Sequence, residues 1–236
     1  MLEYQLIRSA RRKTLGLQVK QGRVIVRAPY YLTNKQIVHF INEKSTWLQA
    51  KIDLQKQQPE PKPRAFTQGT LLWIKGEQKT LTIGYQAKAE ILNLPDEFRV
   101  MLPIGSRFEN DQLSSIKIYQ QRVKKQLEKW FKAEATSYLS TRLTELSEQT
   151  QLTPKSFKIR QYKARWGSCN NRGELSFNYL LMMAPLWVVD YVIVHELCHL
   201  THLNHSKAFW QLVAQHSLHY QRAQDWLKNH QRQLVW

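Results

Sequence analysis

Residues 195–199, His-Glu-Leu-Cys-His, constrain this chain more than any other segment. They lie within the apolar run 191–200, which predicts a helix with a buried face. On a helix, positions four apart are separated by ~40° around the axis and by ~6 Å along it, so His195 and His199 can hold one metal ion. This spacing is typical of the zinc helix of metal-dependent hydrolases, in which Glu196 would lie beside the metal and not on it.

A third ligand has to come from elsewhere, because a catalytic zinc takes about three protein ligands and keeps one position open. On an unbroken helix His202 would stand ~10 Å along the axis from His195, too far for both to bind one ion. His205 is therefore predicted as the third ligand, provided that the chain leaves the helix after His199 and turns back. Asn204 tolerates left-handed backbone and is expected at that turn. The resulting spacing equals that of metzincins, which have glycine at the position of His202.

The segment before this helix also has a recognisable order. Residues 164–170, Ala-Arg-Trp-Gly-Ser-Cys-Asn, lead through a turn into the alternating run 174–180, which predicts a strand. Pro185 is expected to open the helix. Cys198 is interpreted as a small buried side chain and not as a ligand.

These motifs resemble the YgjP-like metallopeptidase family, and SprT-like and other minimal zincins are similar more distantly. The resembling segments are Arg8–Thr14 with the strands up to Pro29, the RWGSC loop at 165–169, the strand bearing Asn178, the run 190–200 and the ending 204–210. The resemblance thus covers nearly the whole chain. It implies a zincin-like catalytic domain, with His195, His199 and His205 as zinc ligands and Glu196 as the catalytic carboxylate.

The first part of the chain predicts a small β-rich module with one helix. Residues 4–8, 14–20 and 23–28 have strand patterning, with Gln21-Gly22 as a hairpin turn. Apolar spacing predicts a helix over 34–56, capped by Thr33 or Asn34. A proline-rich connector near 57–65 then follows, since three prolines alternate there.

The rest of the chain predicts further strands and long helices. Strand patterning over 66–102 predicts a small antiparallel sheet, and residues 111–148 predict one long helix that would back the zinc helix. A strand at 155–164 and helices at 207–217 and 221–234 complete the expected elements. We therefore predict an α+β protein with a basic β-rich N-terminal domain at 1–105 and a zincin-like hydrolase domain at 106–236.

The composition predicts a cytoplasmic protein. The chain has 236 residues, and no apolar stretch approaches the ~20 residues of a membrane span. Its start lacks the apolar core of a signal peptide. Two cysteines, Cys169 and Cys198, give no disulfide framework and agree with a reducing compartment.

The formal net charge of +17 favours a polyanionic partner, such as nucleic acid or a nucleotide. Residues 1–65 hold thirteen basic side chains against four acidic ones, whereas residues 186–236 hold four against three. The charge is thus concentrated away from the predicted zinc helix. The polyanion-binding residues expected from this distribution are Arg8, Arg11, Arg12 and Lys13.

The predicted reaction is metal-assisted hydrolysis, with Glu196 taking a proton from water and passing it to the leaving amine. His202, Tyr191 and Arg165 are alternative donors to the developing oxyanion. Asn178 is expected either on an edge strand to which a peptide substrate can pair, or in a hydrogen bond at the end of a strand or in a loop.

Three classes of function stay open at this point. The first is a zinc peptidase that acts on proteins or peptides, among them proteins associated with nucleic acid. The second is a metal-dependent hydrolase of nucleotide phosphoanhydrides. The third is a nucleic-acid-binding protein with a structural zinc, which the intact Glu196 disfavours.

Overall fold

The computed structural model describes residues 2–20, 22–57, 65–106, 113–234 and 236. The chain forms two compact units, Met1–Lys62 and Pro63–Trp236. The division falls within the proline-rich stretch, of which residues 58–64 lie outside the described part. It differs from the expected boundary at 105, because the sheet that precedes this position shares a core with the helix that follows it.

The described residues of the first unit form three strands and two helices. The strands are β1 (Tyr4–Ser9), β2 (Gly16–Lys20) and β3 (Arg23–Pro29), and the helices are α1 (Asn34–Glu43) and α2 (Ser45–Gln57). The sheet order is β1-β3-β2, with β1 parallel and β2 antiparallel to β3. Its core consists of Val24, Val26, Ala28, Ile37, Ile41, Leu48 and Ile52. Of the expected hairpin turn, Gln21 lies outside the described residues.

The single helix expected over 34–56 is wrong, because the chain forms two helices that meet at Lys44. The apolar positions keep a helical spacing across this break, so the pattern did not reveal it. The expected cap at Thr33 is confirmed. Its side chain accepts from the backbone N–H of Gln36, and the Gln36 side chain accepts from the backbone N–H of Thr33.

The second unit begins with a four-stranded sheet. Its strands are β4 (Leu71–Ile74), β5 (Glu77–Gln86), β6 (Glu90–Asn93) and β7 (Glu97–Pro103), in the order β4-β5-β7-β6. The expectation of a wholly antiparallel sheet is wrong, since β5 and β7 are parallel. The chain passes from β5 to the far edge and returns between β5 and β6, and alternation within a strand does not reveal the direction of its neighbours.

A long helix and a small second sheet follow. Helix α3 spans Leu113–Thr150, and the expected start at 111 lies outside the described residues. The strands are β8 (Ser156–Arg160), β9 (Gly167–Cys169) and β10 (Glu174–Asn178), in the order β8-β10-β9. Strand β10 is thus central, and β9 is an edge strand.

Three further helices complete the second unit: α4 (Leu186–Cys198), α5 (Lys207–His216) and α6 (Tyr220–His230). A 3-10 segment, Tyr179–Met183, joins β10 to α4 and is buried throughout. In its described residues the chain therefore has six α-helices and three small sheets, which confirms the α+β class. None of the helices that the structure describes is both long and apolar enough to cross a membrane.

Candidate metal centre

Helix α4 is held in place at both its beginning and its middle. At the beginning, the backbone N–H of Gly76 donates to the carbonyl of Met183 at 3.0 Å, and a Cβ on Gly76 would lie 2.6 Å from Pro185 Cγ. Gly76 also has a φ of +89°, so both the turn and the close approach require glycine. Further along, the carboxylate of Asp190 accepts from the Tyr138 hydroxyl at 2.8 Å and pairs with Arg142 at 3.0 Å.

Three imidazoles converge near the C-terminal end of helix α4. His195 lies on α4, His199 follows its last residue, and His205 lies on the connection to α5. One ring nitrogen from each of the three lies within 4.8 Å of the other two, and the Nε2 atoms of His195 and His205 are 3.1 Å apart. These three histidines are therefore close enough to bind one ion.

The chain leaves the helix after His199, as the spacing of the histidines requires. The backbone N–H groups of Leu200 and Thr201 donate to the carbonyls of Leu197 and Cys198, three residues back instead of four, so regular α-helical bonding stops here. Asn204 does lie in the following turn, where its Oδ1 accepts from the backbone N–H of Ser206 at 3.2 Å. Its expected left-handed backbone is wrong, because Asn204 is not among the positive-φ residues in the described part of the chain. A side-chain hydrogen bond shapes the turn instead.

Two residues expected as oxyanion donors orient the imidazoles. The backbone carbonyl of His202 lies 2.8 Å from Nδ1 of His199, and a carbonyl only accepts, so His199 donates and presents Nε2 to the centre. The Tyr191 hydroxyl lies 3.4 Å from Nδ1 of His195, which likewise leaves Nε2 free to face the centre. Tyr191 is buried behind His195, and neither Tyr191 nor His202 lines the cleft described below.

Aromatic rings pack against the imidazoles from the side of α5. Phe209 is fully buried and stacks on His199 with ring centroids 4.5 Å apart. Trp210 stacks on His205 at 5.5 Å and on Tyr220 at 5.6 Å. These contacts restrict the rotamers of two imidazoles, which preorganises them for a ligand. Sequence reasoning missed this role of Phe209. The feature of the sequence that indicates it is the position of Phe209, four residues after His205.

Burial favours the neutral form of two of the imidazoles, those of His195 and His199. Burial, together with the neighbouring His199 and His205, lowers the pKa of His195 to about 3. Burial is also the main cause that lowers the pKa of His199. Neutral imidazole is the form that binds a metal, so the electrostatics of the cluster suit a cation.

Glu196 lies at the floor of the site and is 5% exposed. Its Oε2 has no hydrogen-bond partner, and burial raises the pKa of the carboxyl to about 8 against the opposing charge of Arg165. A cation held by the histidines would provide a charge partner for Oε2 of Glu196, and it would favour the carboxylate form of this side chain. A Cβ on Gly167 would lie 2.6 Å from both Cγ and Oε1 of Glu196, so only glycine allows the carboxyl group its position. The sequence analysis did not identify this role of Gly167, although a glycine within a short strand often marks such a close approach.

An open cleft of about 290 Å³ gives access to Glu196 and the three histidines. The residues that line it are Arg165, Gly167, Ser168, Cys169, His195, Glu196, His199, Leu203 and His205. Three of these form the edge strand β9, so the cleft is bordered by an unpaired strand edge. Cys169, which the sequence left without a role, thus lies in the cleft wall.

Asn178 does not lie on that edge, contrary to expectation. It ends the central strand β10 and is 1% exposed. Its Nδ2 donates to the carbonyls of Tyr162 and Arg165 at 3.1 and 3.3 Å, and its Oδ1 accepts from the N–H of Leu180 at 3.2 Å. Asn178 therefore holds the loop that carries Arg165 into the cleft.

The four basic residues expected to bind a polyanion differ in their surroundings. The guanidinium of Arg8 donates to the carbonyls of Pro29, Tyr30 and Leu32 and to Oδ1 of Asn34. These bonds tie β1 to the start of α1, so Arg8 is committed to the fold of the first unit. Arg12 is partly buried and donates to the carbonyl of Thr14 at 3.2 Å, whereas Arg11 and Lys13 are exposed.

The family model described as "YgjP-like, metallopeptidase domain" matches residues 13–230. The chain therefore belongs to the YgjP-like metallopeptidase family, and the class of protein that fits both family and site is a metal-dependent hydrolase. Comparison with curated proteins and with solved structures gives no match.

Proposed function

We propose that this protein is a zinc-dependent peptidase with a zincin-like catalytic arrangement, in which His195, His199 and His205 bind the ion and Glu196 is the general base. The observation that carries this proposal is the position of three converging imidazoles next to the buried carboxyl group of Glu196, whose Oε2 has no hydrogen-bond partner, all in one open cleft. A purely structural metal site would have no use for such a carboxyl or for an open side.

Zinc is the ion that this donor set suits best. Three imidazoles would hold the ion and would leave it open to water or substrate, as catalytic zinc sites do. Cys198 is fully buried among the core residues and Cys169 is not within the histidine cluster, so the proposed site has no thiolate ligand. When bound, zinc lowers the pKa of a coordinated water to ~7 and polarises the carbonyl of the scissile bond.

The side chains of the protein would carry the proton. Glu196 accepts a proton from the attacking water at its carboxylate and delivers it to the amine that leaves. Gly167 keeps the space that this carboxyl group occupies. Tyr191 and the carbonyl of His202 keep two imidazoles in the orientation that leaves their Nε2 atoms available.

Strand β9 supports peptide as the substrate class. Its free edge borders the cleft, and an extended peptide can add to such an edge through main-chain hydrogen bonds. Binding of this kind would place a peptide bond beside Glu196, whatever the sequence of the peptide.

We further propose that the protein acts in the cytoplasm and that the basic first unit contacts nucleic acid through Arg11 and Lys13. Both side chains are exposed and therefore available to phosphates. Arg8 is left out of this proposal because of its four hydrogen bonds within the first unit.

The test compares the zinc-loaded protein with Glu196→Gln on casein-derived peptides. The substitution removes the base and leaves every ligand, so zinc content should stay the same while turnover falls by roughly 10²- to 10⁴-fold. Glu148→Gln, an exposed change on α3, is the matched control and should keep full activity. Undiminished turnover by Glu196→Gln would remove Glu196 from the mechanism, and a zinc-loaded parent protein that cleaves no peptide would contradict the peptidase.

A further inference from the structure

Arg165 lies in the cleft wall, where its charge acts on the carboxyl group of Glu196 without forming an ion pair with it. It forms none of the ion pairs found among the described residues, and its side chain is exposed. The other ionisable groups around the cleft are the imidazoles of the three histidines, the Cys169 thiol and Glu196. The cleft thus presents a fixed cation to whatever enters it.

The loop that carries this cation is held in place from within. Asn178 is buried and donates to the carbonyls of Tyr162 and Arg165, and its backbone N–H donates to the carbonyl of Trp166 at 2.8 Å. The guanidinium lies 5.5 Å from the ring centroid of Tyr162. The Tyr162 hydroxyl in turn lies 3.1 Å from Oγ of Ser168, on the edge strand. The cation and the strand edge are therefore joined in one network, which lowers the entropic cost of binding a ligand there.

We propose that Arg165 recognises a carboxylate of the substrate, so that the enzyme prefers peptides with a carboxylate close to the scissile bond. This inference rests on the proposed peptidase function and deepens it. A guanidinium matches a carboxylate through two parallel hydrogen bonds, which a neutral amide cannot accept equally well.

The charge and position of the cleft residues favour this role over stabilisation of the oxyanion. Arg165 is exposed, whereas Glu196 and His199 are 5% and 8% exposed, so the guanidinium lies nearer the opening than the site of reaction. A bound divalent ion adds further positive charge, and Glu196 is the one acidic side chain among the described residues that line the cleft. The cleft therefore attracts an anionic ligand.

The carboxylate can come from the peptide's own C-terminus or from an acidic side chain, and binding distinguishes these sources. The zinc-loaded Glu196→Gln protein is titrated calorimetrically with N-acetylated tetra-alanine as the free acid, as the C-terminal amide, and as an amide with one aspartate. We expect the better of the two carboxylate peptides to bind roughly tenfold to hundredfold more tightly than the plain amide. Preference for the free acid assigns the C-terminus, and preference for the aspartate peptide assigns the side chain.

Variants of Arg165 then test the residue itself. Arg165→Gln in the same background should lower carboxylate affinity to that of the amide, and Arg165→Lys should keep only part of the preference. Lys163→Gln removes an exposed charge from the same loop outside the cleft and should change nothing. Unchanged zinc content and melting temperature would show that each variant is folded.

Equal binding of the plain amide and both carboxylate peptides, no detectable binding of any of the three, or a carboxylate preference that survives Arg165→Gln would each overturn the inference. Tighter binding of a nucleoside triphosphate than of both carboxylate peptides would overturn it as well, by assigning the cation to phosphate. These outcomes are independent of cleavage. A carboxylate preference with no peptide turnover by the parent protein would contradict the peptidase function and leave the assignment of Arg165 standing.

Discussion

Gly167→Ala tests the geometry of the site without touching a metal ligand. The added Cβ would lie 2.6 Å from Cγ and Oε1 of Glu196 and 2.8 Å from Cδ. Since carbon atoms in contact are ~3.5–4.0 Å apart, the carboxyl group has to retreat by about 1 Å. A misplacement of about this size costs roughly 10²-fold in rate.

The effect on stability should be much smaller than the effect on rate. Overpacking of a buried site costs ~1–3 kcal/mol, and the lower chain entropy of alanine in the unfolded state offsets ~0.4–1 kcal/mol of it. The φ angle of Gly167 does not lie in the left-handed region, so its backbone accepts alanine without strain. We therefore expect an unfolding free energy lowered by no more than ~2 kcal/mol and a full complement of zinc.

The assay combines kcat on casein-derived peptides with zinc content and chemical denaturation. Gly105→Ala is the matched control, because a Cβ there meets nothing within 4 Å. Parental kcat in Gly167→Ala would refute the account of Glu196, since the carboxyl group would then tolerate displacement. Loss of zinc would also count against it, because the clash involves no ligand.

Two further predictions concern residues whose roles the structure revised. Tyr191→Phe removes the hydroxyl that lies 3.4 Å from Nδ1 of His195 but keeps the buried ring. Competition with a chelator should show that the zinc affinity is lowered roughly tenfold or more. An unchanged affinity would mean that the hydroxyl does not orient the imidazole. Arg8→Ala removes four hydrogen bonds, so urea denaturation should show that the unfolding free energy of the first unit is lowered by ~2–4 kcal/mol. Arg11→Ala, a change at an exposed residue, should alter this free energy by less than ~0.5 kcal/mol. Equal effects of the two substitutions would contradict the structural role of Arg8.

The histidine cluster was predictable because it depends on local geometry. Helical periodicity fixes the relation of His195 to His199, and the reach of a zinc ligand excludes His202 on a continuous helix. The structure brings His205 to within bonding range of the same point. The role of the His202 backbone carbonyl was not predictable, because every residue type carries the same main-chain acceptor.

The remaining site depends on contacts between distant segments, which local patterns do not encode. Asn178 was expected on an edge strand, but β10 pairs on both sides and β9 is the edge. Arg8 looked like part of a basic cluster, and only the fold brings it to three carbonyls more than twenty residues away. The parallel pairing of β5 and β7 is a third case, since alternation is the same in parallel and antiparallel neighbours.

The central claim is that three histidines bind one zinc ion. The zinc content of the purified protein, measured by inductively coupled plasma mass spectrometry, tests this claim most directly. The parent protein should hold about one zinc per chain, and His205→Ala should lose most of it because only two imidazoles remain. His202→Ala should keep its zinc, since its backbone carbonyl still accepts from Nδ1 of His199. Full occupancy in His205→Ala together with loss in His202→Ala would contradict the ligand set on which the proposed function depends.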